Sequence, residues 1–150
     1  MAQTLLKQPL RQRAVLRYPG AKWRIADFIL RYMPQHHSYL EPFFGSGAVL
    51  FRKQPSAIET VNDINGDIVN LFRVVQEQAD VLADYVAGIP YARQVYEVSL
   101  HGNPTSSDVK RAARFLILAW QSYGSRADGK NCGWKKDVVG REAAYAVRCW

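Results

Sequence analysis

A chain of 150 residues with 48% apolar and 22% charged residues is long enough to bury a core without disulfides or a metal, and too apolar to stay disordered. The net charge of +7 is unevenly placed: residues 1–40 carry a balance of +6, residues 41–100 of −4 and residues 101–150 of +5. No apolar run approaches the roughly 18 residues of a membrane span, and the N-terminus lacks the apolar core and cleavage site of a secretion signal, so a cytoplasmic protein is expected.

Residues 1–13 read as a flexible basic lead. "RYPGAKWRI" is a turn at Pro19-Gly20 that runs into a helix expected from about Lys22 to Tyr32 and stopped by Pro34. His36 and His37 follow on a surface loop, adjacent and therefore divergent, a poor geometry for a shared metal. "SYLEPF" is a short buried strand, followed by the glycine loop of "LEPFFGSGAVLF" and a helix near Ser46 to Arg52. "AIETVND" is a second strand, and "DIVNLFRVVQEQADVLADYVAGI" is helical with a break around Gln76 to Gln78. Strand, turn, helix, strand, helix is the rhythm of a parallel sheet in an α/β fold. The helical period after Asn65-Gly66 argues against a hairpin there.

After Ile89-Pro90 two further helices are expected, "YARQVYEVSL" and "SSDVKRAARFLILAWQSYG", the second with Ser107 as a candidate cap. "GSRADGKNCGWKKDVVGRE" is Gly- and Lys-rich and aperiodic, an exposed loop. "REAAYAVRCW" opens another helix that is still running at Trp150, and two strands make a poor sheet by themselves, so an incomplete domain is expected. Cys132 and Cys149 match no metal-ligand spacing and read as reduced thiols.

The chemistry converges on the glycine loop. Gly45 and Gly47 let the backbone pass close to a ligand, with the free N–H groups of a following helix beside it. Sixteen residues after Gly47, Asp63 ends the second strand, beside that loop in a parallel sheet, where a carboxylate can accept both hydroxyls of a ribose. A plain turn with a helix cap is the competing explanation for both features. The dinucleotide fingerprint requires a third glycine where this chain has Leu50, and the Gly-Lys-Ser/Thr of a P-loop is absent. S-Adenosylmethionine, which carries ribose and adenine but no phosphate, asks less of the loop.

"RYPGAK" (Arg17 to Lys22), "EPFFGSGAVLF" (Glu41 to Phe51) and "VNDINGDIVNLF" (Val61 to Phe72) follow in order at short spacing and resemble the N-terminal motifs of the Dam-like DNA adenine-N6 methyltransferases of phage and prophage type. The stretch from Arg111 onward resembles that family's helical target-recognition region. The resemblance implies a Rossmann-like, S-adenosylmethionine-dependent methyltransferase fold in its N-terminal part over residues 14–88. A truncated DNA-binding region is implied over residues 89–150. It places Tyr18 near the methionine end of the cofactor and Lys22 at its carboxylate. Glu41, Pro42, Phe43, Gly45, Ser46 and Gly47 wrap the cofactor, Asp63 takes the ribose and Ile64 packs on the adenine. An apolar residue after a strand is otherwise core, and a first-turn lysine otherwise a solvated one.

For double-stranded DNA, Arg126, Lys130, Lys135 and Lys136, interleaved with Trp134, have the composition of a phosphate-gripping loop, extended by Arg111 and Arg114 three apart on a helix. Solvated charge is the bland reading of the same residues. No catalytic residue is assigned, because the Asp-Pro-Pro-Tyr-type motif that holds the flipped adenine in this family has no counterpart: the sequence contains no Pro-Pro pair. The expectation is a restriction-modification or phage enzyme fragment, inactive alone and without metal, in a bacterial or phage-infected cell. A fragment, a truncated prophage gene product or one half of a split enzyme with a separate C-terminal half would all fit, and the alternatives are a non-catalytic DNA-binding remnant and a small nucleotide-dependent oxidoreductase, discriminated by NAD binding.

Overall fold

The computed structural model describes residues 14–102, 107–127 and 132–135. The chain enters through a turn in which Ala21 N–H donates to the Tyr18 carbonyl at 3.1 Å and Gly20 takes a positive φ of 76°. The first helix, α1 (Ala26–Arg31), is shorter than expected. Its N-cap position holds Ile25, which has no side-chain oxygen to accept from the first free N–H groups, so Trp23 to Ile25 form only a turn.

Two strands, β1 (Ser38–Glu41) and β2 (Ile58–Val61), pair in parallel with Ser38 opposite Ile58 and Glu41 opposite Val61. The fold is thus α/β with a small parallel sheet, as the alternation of patterns required. The helix expected from Ser46 to Arg52 is instead a series of turns, in which Phe51 N–H donates to Gly47 and Lys53 N–H to Val49. Gly45 and Gly47 both have positive φ, which a right-handed helix cannot contain, and only a few residues then remain before Gln54-Pro55. The expected burial of the first strand is also corrected. Tyr39 and Glu41 are half-covered, while Ser38, Leu40 and all of β2 are exposed.

Helix α2 (Gly66–Ala87) begins where the helical period indicated. Asn65 is its N-cap, its side-chain oxygen accepting from Asp67 N–H at 3.0 Å. The expected break falls at Gln78, whose backbone leaves the helical region at φ −144°, ψ 40°. Helices α3 (Arg93–Leu100) and α4 (Asp108–Gln121) follow, the latter capped by Ser107. Helix α4 is the centre of the molecule. Ala112, Ala113 and Phe115 to Ala119 are all buried, meeting Ile68, Leu71 and Val74 of α2, Tyr96 of α3, and Leu16 and Phe44 from the N-terminal segments. One core therefore runs through both of the stretches distinguished in the sequence.

The segment after α4 is not simply an exposed loop. A short 3₁₀ turn (Tyr123–Ser125) leads to buried Ala127, and Trp134 forms an isolated antiparallel bridge with Ser122. The expected helix from Arg141, the N-terminal lead and Cys149 lie outside the described residues. Among the described residues, no helix is long and apolar enough to cross a membrane, and no group of three or more His, Cys, Asp or Glu could hold a metal.

The seam between α2 and α4 carries the stability and the sheet carries little. Leu71→Ala, at a fully buried position, should cost about 3 kcal/mol by urea unfolding, and Leu40→Ala, at a 63% exposed one, under about 1 kcal/mol.

Candidate functional site

The carboxyl end of the sheet gathers the residues marked out in the sequence. The ladder between β1 and β2 continues past both strands, with Asn62 N–H donating to the Glu41 carbonyl at 3.0 Å and Phe44 N–H to the Asn62 carbonyl at 2.9 Å. The next link is a side chain: Gly45 N–H donates to Asp63 Oδ2 at 2.8 Å, while Asp63 Oδ1 accepts from Asn65 N–H at 2.9 Å. Asp63 thus lies against the glycine loop, as a parallel arrangement demands, and it also shapes the turn into α2.

The two glycines serve different ends. A Cβ on Gly45 would point toward Tyr18 Cδ1 at 3.6 Å, so the tyrosine of the first motif sits against the loop. A Cβ on Gly47 would fall 2.5 Å from Phe51 and 2.6 Å from Phe44, so the missing side chain is filled by two packed rings rather than by an open ligand site. Buried Ser46 accepts from the indole N–H of Trp23 at 3.0 Å, pinning the loop to the segment before α1. Phe43 and Ile64, by contrast, are 85% and 97% exposed on either side of the Gly45–Asp63 bond in sequence. Ile64 is not core.

Glu41 closes the strand. It accepts from the Tyr39 hydroxyl at 2.9 Å, and the Leu50 backbone N–H and the Lys22 charge lie close enough to act on it. Burial is the largest influence and raises the Glu41 pKa above the ordinary carboxylate value, against the lowering pull of those three groups. Burial also raises Tyr39 far above its ordinary value, reinforced by the bond to Glu41 and by the negative charges of Glu41 and Glu59. Exposed Lys22 donates to the Gly20 carbonyl at 2.8 Å, and Pro42 is exposed beside Phe43. Trp23 and Tyr39 were not singled out in the sequence. Tyr39 had a signal, since it stands two residues before Glu41 and so on the same strand face.

The basic residues are spread over several tasks. Arg111 donates to Asp67 Oδ1 at 2.6 Å, tying α4 to the first turn of α2, and Arg114 donates to the Ser99 carbonyl at 2.7 Å, tying α4 to α3. Trp134 is half-buried, its indole N–H donating to Gln121 Oε1 at 3.2 Å and its ring meeting Tyr91 and the Arg93 guanidinium. The Lys135 backbone is bonded to Gln121 and Tyr91, and the Arg126 side chain is exposed. Lys130 and Lys136 lie outside the described residues.

Two outcomes follow from this geometry. Gly47→Ala combines a strained φ with overpacking and should cost about 3 kcal/mol in urea unfolding. Gly20→Ala, at a similar φ with nothing within 4 Å, should cost about 1 kcal/mol. Because folded Glu41 holds its proton to a higher pH than the unfolded chain, folding takes up a proton in that window and stability falls as pH rises through it. Glu41→Gln should therefore gain stability relative to wild type as pH rises above the ordinary carboxylate range, read from thermal midpoints.

Comparison with known proteins supplies the context for this loop. Residues 18–123 match the D12 class N6 adenine-specific DNA methyltransferases. The chain is 30% identical over 122 residues to the DNA N-6-adenine-methyltransferase of Escherichia phage P1, covering 71% of this chain and 15% of that protein. It is 30% identical over 118 residues to the DNA adenine methylase of Salmonella typhi and 28% to that of Escherichia coli K12, covering in each case 75% of this chain and 42% of the relative. It thus spans less than half the length of these relatives, and the family match takes in the glycine loop, Asp63 and α4. The chain belongs to the D12 class N6 adenine-specific DNA methyltransferase family.

Proposed function

We propose that this chain supplies the S-adenosylmethionine-binding part, over residues 14–88, and part of the DNA-facing region, over residues 89–150, of a DNA adenine-N6 methyltransferase. The observation that carries the cofactor reading is how the glycine loop spends its amides. Phe44 N–H is taken by Asn62, Gly45 N–H by Asp63 and Gly47 N–H by Phe44. A pyrophosphate needs a cluster of unclaimed backbone N–H groups, and here three of them are occupied. An adenosine ligand without phosphate makes no such demand. The donor set fits it: a carboxylate with lone pairs left for a ribose diol at Asp63, and exposed apolar surface at Phe43 and Ile64 for an adenine.

In this reading Asp63 accepts from the ribose hydroxyls, Ile64 and Phe43 cover the base, and Glu41 to Gly47 follow the length of the ligand. Tyr18, held against Gly45, lines the methionine end, where Lys22 meets the carboxylate. S-Adenosylmethionine supplies an electrophilic methyl group. The amine that receives it must be presented by an Asp-Pro-Pro-Tyr-type motif, which these 150 residues do not contain, so a polypeptide carrying that motif is the proposed complement and this chain alone does not transfer methyl. Arg126, Lys130, Lys135 and Lys136 are proposed to meet DNA phosphates, with Trp134 as their folded support. Arg111 and Arg114 contribute through guanidinium N–H groups beyond the Nε each gives to its internal bond.

Equilibrium dialysis of the purified chain with labelled S-adenosylmethionine tests the reading. Binding should be saturable, undisplaced by excess NAD, and weakened at least tenfold in Asp63→Ala. A folded chain that binds DNA in a salt-dependent way but takes up no S-adenosylmethionine would instead be the non-catalytic remnant.

A further inference from the structure

Around the paired Tyr39 and Glu59 of the sheet lies a chain of polar contacts that the cofactor reading does not use. Lys53 carries a side chain only 2% exposed, an unusual state for an ammonium group. It is satisfied by the Gln54 carbonyl at 2.9 Å, Ser56 Oγ at 2.7 Å and the Glu59 carboxylate, and it stands 4.6 Å from the centre of the Tyr39 ring. Tyr39 and Glu59 face each other across the strand pair, so the same face supplies both the ring and the anion that fixes the lysine. The tyrosine is thereby held on one side by a buried cation. Its hydroxyl donates to Glu41 Oε2 at 2.9 Å, at the carboxyl end of β1.

Glu41 in turn stands near the Leu50 N–H and in the field of Lys22. A half-covered carboxylate beside an exposed lysine is a pair of opposite charges at one end of the glycine loop. The amino-acid end of S-adenosylmethionine is itself a pair of opposite charges, an ammonium and a carboxylate on one carbon. Two complementary charges recognise it only if neither can swing away, because a mobile carboxylate would lose conformational freedom on binding.

We infer that Tyr39 is a positioning residue for this site: through its hydroxyl it holds Glu41 where that carboxylate accepts from the ammonium of the ligand's amino-acid end, opposite Lys22. The Lys53–Glu59 pair keeps the Tyr39 ring in place. The inference rests on the proposed binding of S-adenosylmethionine and adds to it a residue that selects for the amino-acid end rather than for the nucleoside.

Two ligands separate the claims. 5′-Methylthioadenosine has the adenosine and the sulfur but no amino-acid end. Calorimetric titration of the wild-type chain should detect both ligands, S-adenosylmethionine binding the tighter. Tyr39→Phe, which keeps the ring and its contact with Lys53, should weaken S-adenosylmethionine about fivefold to tenfold, because a freed Glu41 must then be ordered on binding, and leave 5′-methylthioadenosine unchanged. Glu41→Gln should show the same selective loss, and it carries the test if Tyr39→Phe unfolds. An equal loss for both ligands, or no loss for either, overturns the positioning role while leaving cofactor binding intact. A folded wild-type chain that binds neither ligand overturns both.

Discussion

The Asp63 carboxylate accepts one backbone N–H from Gly45 and another from Asn65, and through those two bonds the end of β1, the end of β2 and the start of α2 become one rigid corner. Hydrogen bonds to an ionised group contribute roughly 1.5–3 kcal/mol each when partly shielded from water. Here they replace a ladder that has run out of strand. Asn65, positioned by one of them, caps α2 through its own side chain, and α2 then delivers Ile68, Leu71 and Val74 to α4. A single acidic side chain thus connects the carboxyl end of the sheet to the core of the molecule. A loop braced in this way is preorganised, and it has few amides left to offer a phosphate.

The charge distribution has a similar double use. From composition alone the basic blocks fit either a polyanion partner or a solvated surface. The folded chain adds a further use, since Arg111 and Arg114 brace α4 against its two neighbours and Arg73 meets Asp108 at the start of the same helix. Such partly exposed pairs are individually worth little. Their contribution is orientation: they set α4 across α2 and α3 so that the segment following it, with Arg126 and Trp134, leaves from a defined place.

Much of this was legible in the sequence because it rests on local rules. The cap at Ser107, the break near Gln78 and the parallel strand pair all follow from side-chain chemistry and periodicity within a few residues. The helix after Gly47 failed for a reason periodicity does not carry: two positive φ values and the packing of Phe44 and Phe51 into the space over Gly47. The buried first strand failed because burial depends on what lies across a sheet face, and the two faces of β1 have different neighbours. Within the candidate site, Asp63 and the glycine loop were recognisable by spacing, and Trp23 was not, since nothing local connects an indole to a serine 23 residues away.

Sequence by itself determined the two strands and the helices α2 to α4, the alternation that makes the sheet parallel, the placing of Asp63 beside Gly45 and, through three ordered motifs, the family. These depend on backbone preferences and on short spacings, which are properties of the chain. Tertiary structure alone decided which polar groups are spent internally and which surfaces stay exposed. It showed the amides of the glycine loop to be largely taken, Ile64 to stand in solvent, Trp134 to be folded back, and Tyr39 to be clamped between Lys53 and Glu41. A hydrogen bond is a competition among all the partners that folding brings within about 3 Å, and the winner is settled only when distant segments arrive together.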